Sequence, residues 1–202
     1  MLCFVKKFYG VFIIDDTTHM FLSDGDIKKA VENEEIVIKN FDEHRLQPAS
    51  YDVLLGNKFI LTSAHETQAI DPVNKIFPKT SEVEIPDGKE FILHPRMTVL
   101  GTLKDFVGSE KYLIQISGKS SLARIGLVVH NTAGIINPGH FLHITLELAN
   151  FNIAPIILRP GMAIAQLTFS KLTSPVWQDY SKTGRFNGDN WKKNFTPETK
   201  HI

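Results

Sequence analysis

The feature that most constrains this chain is the run from Phe141 to Leu148, whose alternation can be read letter by letter. Phe141, His143, Thr145 and Glu147 fall on one face of a strand, and Leu142, Ile144, Leu146 and Leu148 fall on the other. The aliphatic face requires a core. The opposite face sets a carboxylate, a hydroxyl and an imidazole in one row on a rigid element, an arrangement that suits a polar site. The run closes a longer stretch, Gly118 to Asn150. That stretch opens on a small-residue turn with a cation at each end, Lys119 and Arg124. It continues through an apolar run ending at His130, and through turns at Thr132-Ala133-Gly134 and Asn137-Pro138-Gly139.

Around this stretch the chain reads as many short strands. Ser23 is a candidate N-cap, with Asp24 and Asp26 in the first turn of a helix that presents Ile27, Ala30 and Val31 on one face and ends near Asn33. Strands are expected over 35–38, 51–55, 91–93, 98–103, 112–116, 128–130, 144–148, 156–158 and 163–169, punctuated by Gly and Pro. Between Thr62 and Pro86 the chain is polar and poor in periodicity, with Ile70, Ile76 and Phe77 as residues that would pack back. The pattern predicts a mostly β fold, a distorted jelly roll or β-sandwich with one or two short helices. Residues 1–19 are read as an N-terminal extension of unclear role, 20–175 as the domain, and 176–202 as a polar, aromatic tail.

Composition narrows the function classes. Lys+Arg and Asp+Glu both number 22, so no global field favours nucleic acid, and anion binding must be local. Cys3 is the lone cysteine, which excludes an internal disulfide and a multi-Cys zinc site and fits a reducing, cytoplasmic compartment. No apolar run reaches the roughly 18 residues of a membrane span. The apolar opening carries Lys6-Lys7 and no small-residue cleavage site, which argues against a secretory signal. Taken alone, Gly118-Lys119-Ser120-Ser121 fits either a phosphate cradle or an ordinary turn; the Walker pattern is incomplete because Leu113 stands where its first Gly would be.

The motifs Gly118-Lys119-Ser120-Ser121-Leu122-Ala123-Arg124, His130-Asn131-Thr132-Ala133-Gly134, Pro138-Gly139 and Thr145-Leu146-Glu147, with Gln47 to Val53 and Arg159-Pro160-Gly161-Met162 outside them, resemble the dCTP deaminase family of the dUTPase-like superfamily. Several separated motifs in the right order make the resemblance specific. It covers about 21–188. It implies a metal-independent hydrolytic deamination of dCTP to dUTP and ammonia, with Glu147 as the catalytic carboxylate and Ser120 and Arg124 holding the water beside the backbone of Ala133. One carboxylate whose pKa is raised by burial can take a proton from water, protonate N3 and deliver a proton to the leaving ammonia. The zinc alternative needs an H-x-E and P-C-x-x-C signature, which is absent here.

The same resemblance implies that Lys119, Ser120, Ser121, Leu122, Ala123, Arg124, Ala133, Asn137, Thr145, Leu146, Glu147 and Gln166 contact the nucleotide. Tyr180, Arg185 and Asp189 of the tail would close over it. Mg²⁺ would arrive with the triphosphate, held by phosphates and water more than by protein. Homotrimeric sites between subunits are implied, with dTTP a candidate inhibitor. His130 is read as the structural partner of a neighbouring turn. Two departures bear on the products. Asn137 replaces the Asp usual before Pro138-Gly139, and Leu142 stands where Gly is common. In the other direction, Gly134 after Ala133 resembles bifunctional enzymes that cut dUTP on to dUMP. The two signals conflict. The first-ranked reading stops at dUTP. Its rivals are a bifunctional enzyme forming dUMP, a plain dUTPase, and a catalytically silent nucleotide-binding regulator.

Overall fold

In the computed structural model, residues 21–63, 69–178, 180–184 and 186–189 are described. The extension at 1–19, the far end of the tail and Arg185 lie outside them. The elements are α1 (Asp24–Glu32), β1 (Val37–Ile38), a 3-10 turn (Glu43–Arg45), β2 (Leu46–Gln47), β3 (Ser50–Ser63), β4 (Lys79–Glu84), β5 (Phe91–Leu93), β6 (Thr98–Gly108) and β7 (Tyr112–Gly118). They continue with α2 (Ser120–Ala123), β8 (Leu127–Val128), β9 (Ile135–Ile136), β10 (Leu142–Asn150), β11 (Ile156–Leu158), β12 (Ala163–Lys171) and α3 (Tyr180–Thr183). The architecture is mostly β, a curled antiparallel sheet, as the alternation predicts.

The long strand β3 produces the curl. Its first half pairs with β12 and its second half with β6 and β4, with a register shift between Leu55 and Phe59. The sheet order is β8-β10-β6-β3-β12-β7-β9, so one strand joins two faces that close on a shared core. Tyr51, Val53, Leu55 and Phe59 of β3 are fully buried there, beside Leu146 and Leu148 of β10 and Leu167 and Phe169 of β12. At about 25 cal/mol per Å² of apolar surface, burial of these side chains dominates the stabilisation. Helix α1 begins at the expected Ser23, whose Oγ accepts from the Asp26 N–H, and it buries Ile27 and Ala30.

Three local expectations are corrected. Of the residues expected to pack back, Phe77 is half-buried, whereas Ile70 and Ile76 are 60% and 51% exposed. Asp71 accepts from the Val73 and Asn74 N–H groups and closes a self-contained surface turn, leaving no apolar face for these side chains to meet. The stretch read as polar and aperiodic contains β4, which pairs with β3 and exposes nearly every side chain, so alternation has nothing to report. Lys119 to Arg124 is a one-turn helix rather than a plain turn, too short to show a period. Among the described residues no helix is long and apolar enough to cross a membrane.

Candidate active site

Glu147 lies in the middle of β10, which pairs with β6 along most of its length. Its strand neighbours Leu146 and Leu148 are fully buried on the opposite face, which fixes the backbone and aims the carboxylate the other way. Burial holds the Glu147 carboxyl above the ordinary carboxylate range. Opposing that shift are the N–H of Asn131, its own N–H and the nearby His130. The Asn131 N–H donates to Oε2 at 3.3 Å. A carboxyl raised in this way suits an acid–base group that must both accept and return a proton.

The loop that supplies this N–H is strained. Thr132 has φ of 70°, the left-handed region that a β-branched residue rarely adopts, at a cost of roughly 1–3 kcal/mol. The conformation is held by the Ile116 N–H, which donates to the Gly134 carbonyl at 2.8 Å. A side chain at residue 134 would place Cβ 2.9 Å from the Ile116 carbonyl oxygen and 3.2 Å from the His130 ring, so only glycine fits against β7. His130 thus lies against the turn, with its Nδ1 buried and unpartnered among the described residues.

A cleft of about 270 Å³ opens over this face, lined by Ala133, Leu142, Thr145 and Glu147, and by Tyr180 and Asp189 from the tail. Ile135, Ile136, His140, Phe186 and Gly188, none of them a candidate site residue from sequence, also line it. The ring of His140 lies 4.8 Å from that of Tyr180. Burial lowers the pKa of His140, while the Phe186 and Gly188 carbonyls and Asp189 act against that shift. Asn137 is exposed and lines an adjoining cleft of about 270 Å³ that shares Tyr180 as a wall. Leu146 turns its side chain into the core, so a ligand would meet no more than its main chain.

The remaining residues assigned by resemblance form a second group at the end of β7. Lys119 pairs with Asp52 at 2.5 Å, and Asp52 Oδ1 is buried without a partner among the described residues. Gln166 on β12 is in register with Asp52 and with Ser117, and its Oε1 accepts from Ser50 Oγ at 3.2 Å. Ser120, Ser121, Ala123 and Arg124 are exposed, and Leu122 is half-buried against the core. Among the described residues, no hydrogen bond or ion pair engages the Arg124 side chain, and Arg124 is not among the residues lining the Glu147 cleft. Asp52 is the member of this group that spacing alone did not flag. Among the described residues there is also no cluster of three His, Cys, Asp or Glu side chains able to hold a metal ion.

A dCTP deaminase-like family model matches residues 21–172. A relative from Dictyoglomus turgidum, named dCTP deaminase, dUMP-forming, is 43% identical over 167 residues, covering 81% of this chain and 86% of its own. One from Natronomonas pharaonis, named dCTP deaminase, is 38% identical over 188 residues, covering 91% and 95%. The crystal structure of the Agrobacterium tumefaciens 2'-deoxycytidine 5'-triphosphate deaminase aligns with a TM-score of 0.59 at 22% identity, over 77% of this chain and 49% of that one, a likeness of fold. With its motifs in order and the family model matching most of its length, the chain belongs to the dCTP deaminase-like family.

Proposed function

We propose that the protein is a dCTP deaminase, and that its end product is dUMP. The observation that carries the first part is the part-buried Glu147 carboxyl, raised in pKa, in a cleft of a size to take a pyrimidine. In the reaction, a water oxygen bonds to C4 of cytosine while Glu147 takes a proton from it. Glu147 then passes that proton to N3. The proton of the new C4 hydroxyl next moves through the same carboxylate to the amino group. The C4–N bond breaks, ammonia leaves and the C4 carbonyl of uracil forms. The carboxylate ends in the state in which it began, so one residue suffices for every transfer.

The cleft is incomplete for this task within one protomer. The hydrogen-bond donors to Glu147 are main-chain N–H groups, and among the described residues no Lys or Arg lines its cleft to bind a triphosphate. The exposed Ser120, Ser121 and Arg124 supply what is missing if they enter the cleft of a neighbouring copy, which supports a homotrimer with sites between subunits. A rigid guanidinium fork suits a phosphate or the water. Mg²⁺ fits as a companion of the triphosphate rather than of a protein cage, since the described residues offer no carboxylate cluster. Cys3 as the lone cysteine supports a cytoplasmic enzyme.

Relatives named dUMP-forming at 43% identity, together with the Ala133-Gly134 pair, favour dUMP over the dUTP product ranked first from sequence. Asn137 favours the second reading, a reaction that stops at dUTP, because an amide cannot take a proton from the water that attacks phosphorus. Incubation of the protein with dCTP and Mg²⁺, with separation of ammonia, dUTP and dUMP, decides between them. Ammonia with dUMP is expected. Ammonia with dUTP alone selects the second reading, and no ammonia overturns both.

A further inference from the structure

The tail reaches the Glu147 cleft through a histidine that the deamination does not use. Asp189 Oδ1 accepts a hydrogen bond from the main-chain N–H of His143 at 2.8 Å, and Asp189 Oδ2 lies 2.7 Å from His143 Nδ1. Two contacts between one carboxylate and one residue fix direction as well as distance.

The His143 N–H is available because the ladder is interrupted there. Pairing passes from His143 with Phe106 to Thr145 with Thr102, so that Leu103, Lys104 and Asp105 of β6 stand against Ile144 alone. The irregularity is held from behind. Asp105 is buried and accepts from Arg45 at 2.8 Å and from the Leu54 N–H at 2.7 Å. The ring of His143 stands edge-on to Phe106, with centroids 5.3 Å apart. A rigid bulge thus presents one donor and one imidazole to the tail, and at the other end of the segment Tyr180 lies on His140.

We propose that His143 is a positioning residue for the reaction, which through Asp189 seats residues 180–184 and 186–189 as a preformed wall of the Glu147 cleft before any nucleotide arrives. Both oxygens of Asp189, a residue that the resemblance assigns to the nucleotide, are engaged by His143. Tyr180, Phe186, Gly188 and Asp189 line the cleft and leave about 270 Å³ of it open, so the tail is a wall and not a plug. A wall ordered in advance removes the ordering cost from nucleotide binding, and its loss therefore falls on KM more than on kcat.

The consequence for KM rests on the deaminase reading, whereas the seating of the tail does not. The test is hydrogen exchange by mass spectrometry on the full chain without nucleotide, alongside KM and kcat for dCTP. D189A and H143A are each expected to speed exchange in 180–189 and to raise KM about fivefold, the upper range for a half-exposed ion pair, with a smaller change in kcat. The double variant should be no worse than D189A, which already removes both contacts, whereas H143A keeps the main-chain one. D189A removes a tail side chain and leaves the sheet intact, so it remains decisive if H143A disturbs β10. Unchanged exchange in 180–189 for D189A overturns the proposal, as do single effects that multiply in the double variant. If the protein releases no ammonia from dCTP, the deaminase reading fails, while the exchange result still decides whether the tail is seated by this pair.

Discussion

Glu147 and Arg124 are charged residues of the same stretch, yet the fold treats them in opposite ways. Glu147 sits on a central strand, half-buried, between two leucines with no exposure, under a loop that gives it one donor and a tail that gives it a wall. Its desolvation is left largely uncompensated, which is what raises the carboxyl. Arg124 ends a single turn of helix, stands exposed, and has no side-chain partner among the described residues. Between them in character is Lys119, which is spent on Asp52 in a part-buried pair. The difference teaches that burial on a strand perturbs a carboxyl, whereas a charge at the end of a one-turn helix stays solvated and, on the proposed reading, available to a neighbouring copy.

The largest effect should come from Glu147→Gln. The shape survives and the proton carrier is lost, so ammonia release should fall by roughly 10² to 10⁴ while dCTP binding, measured by calorimetry, stays within about tenfold. Near wild-type ammonia release would remove Glu147 from the mechanism and break the comparison at its first member.

Asn137→Asp probes the neighbouring cleft. If the reaction stops at dUTP, the second reading, restoring a carboxylate should raise dUMP formation by about 10² and change ammonia release by a few fold. On the proposed reading dUMP formation already keeps pace and changes by a few fold. If dUMP formation does not rise, residue 137 is not the base for that step.

Arg124→Ala and Lys119→Ala sharpen the contrast between a free and a committed cation. Loss of Arg124 should lower kcat by roughly 10- to 100-fold, the worth of a charged hydrogen bond, and leave thermal stability nearly unchanged. Loss of Lys119 should do the reverse. It strands Asp52, whose Oδ1 is already unpartnered, and should cost about 1–3 kcal/mol of stability with a smaller effect on rate. Co-expression of Arg124→Ala and Glu147→Gln subunits should recover ammonia release, because mixed assemblies contain sites with both wild-type groups. Activity no higher than in either variant alone would place both residues in one protomer's site.

The smallest effect concerns stability and pH. The folded protein holds the Glu147 proton more tightly than the unfolded chain does, so between the ordinary carboxylate pKa and the raised one the folded state carries more protons. Stability therefore falls as pH rises through that window, and the contribution is intact below it. Glu147→Gln should accordingly be more stable than the parent at neutral pH, by less than about 1 kcal/mol because the group is only part-buried and water screens it. The gain should vanish in acid. A thermal scan at several pH values reads it, and a loss of stability at neutral pH would show that the carboxylate is paired rather than desolvated.

Much of this was legible where physics is local. The β10 alternation placed Glu147 opposite the core, and Ser23 with Asp24 and Asp26 marked the start of α1. The β4 strand was not legible, because both of its faces meet water and its letters carry no period. Nor was the one-turn helix α2, which is shorter than the period that would reveal it. His140 gave no signal at all, since its place beside Tyr180 joins two segments about forty residues apart. The likeness to a family named residue types but not their grouping, which depends on the curl of β3.

By itself the sequence determined the β class, the strand that carries Glu147 and the absence of a multi-cysteine metal site, because alternation and ligand inventory are properties of neighbouring letters and of composition. Only the tertiary structure decided that the site residues fall into two groups, that Lys119 is held by Asp52, that Glu147 is desolvated and that Asp189 is bound by His143. Those facts depend on which distant strands meet and which atoms lose water, and the folding of the sheet through β3 sets both at once.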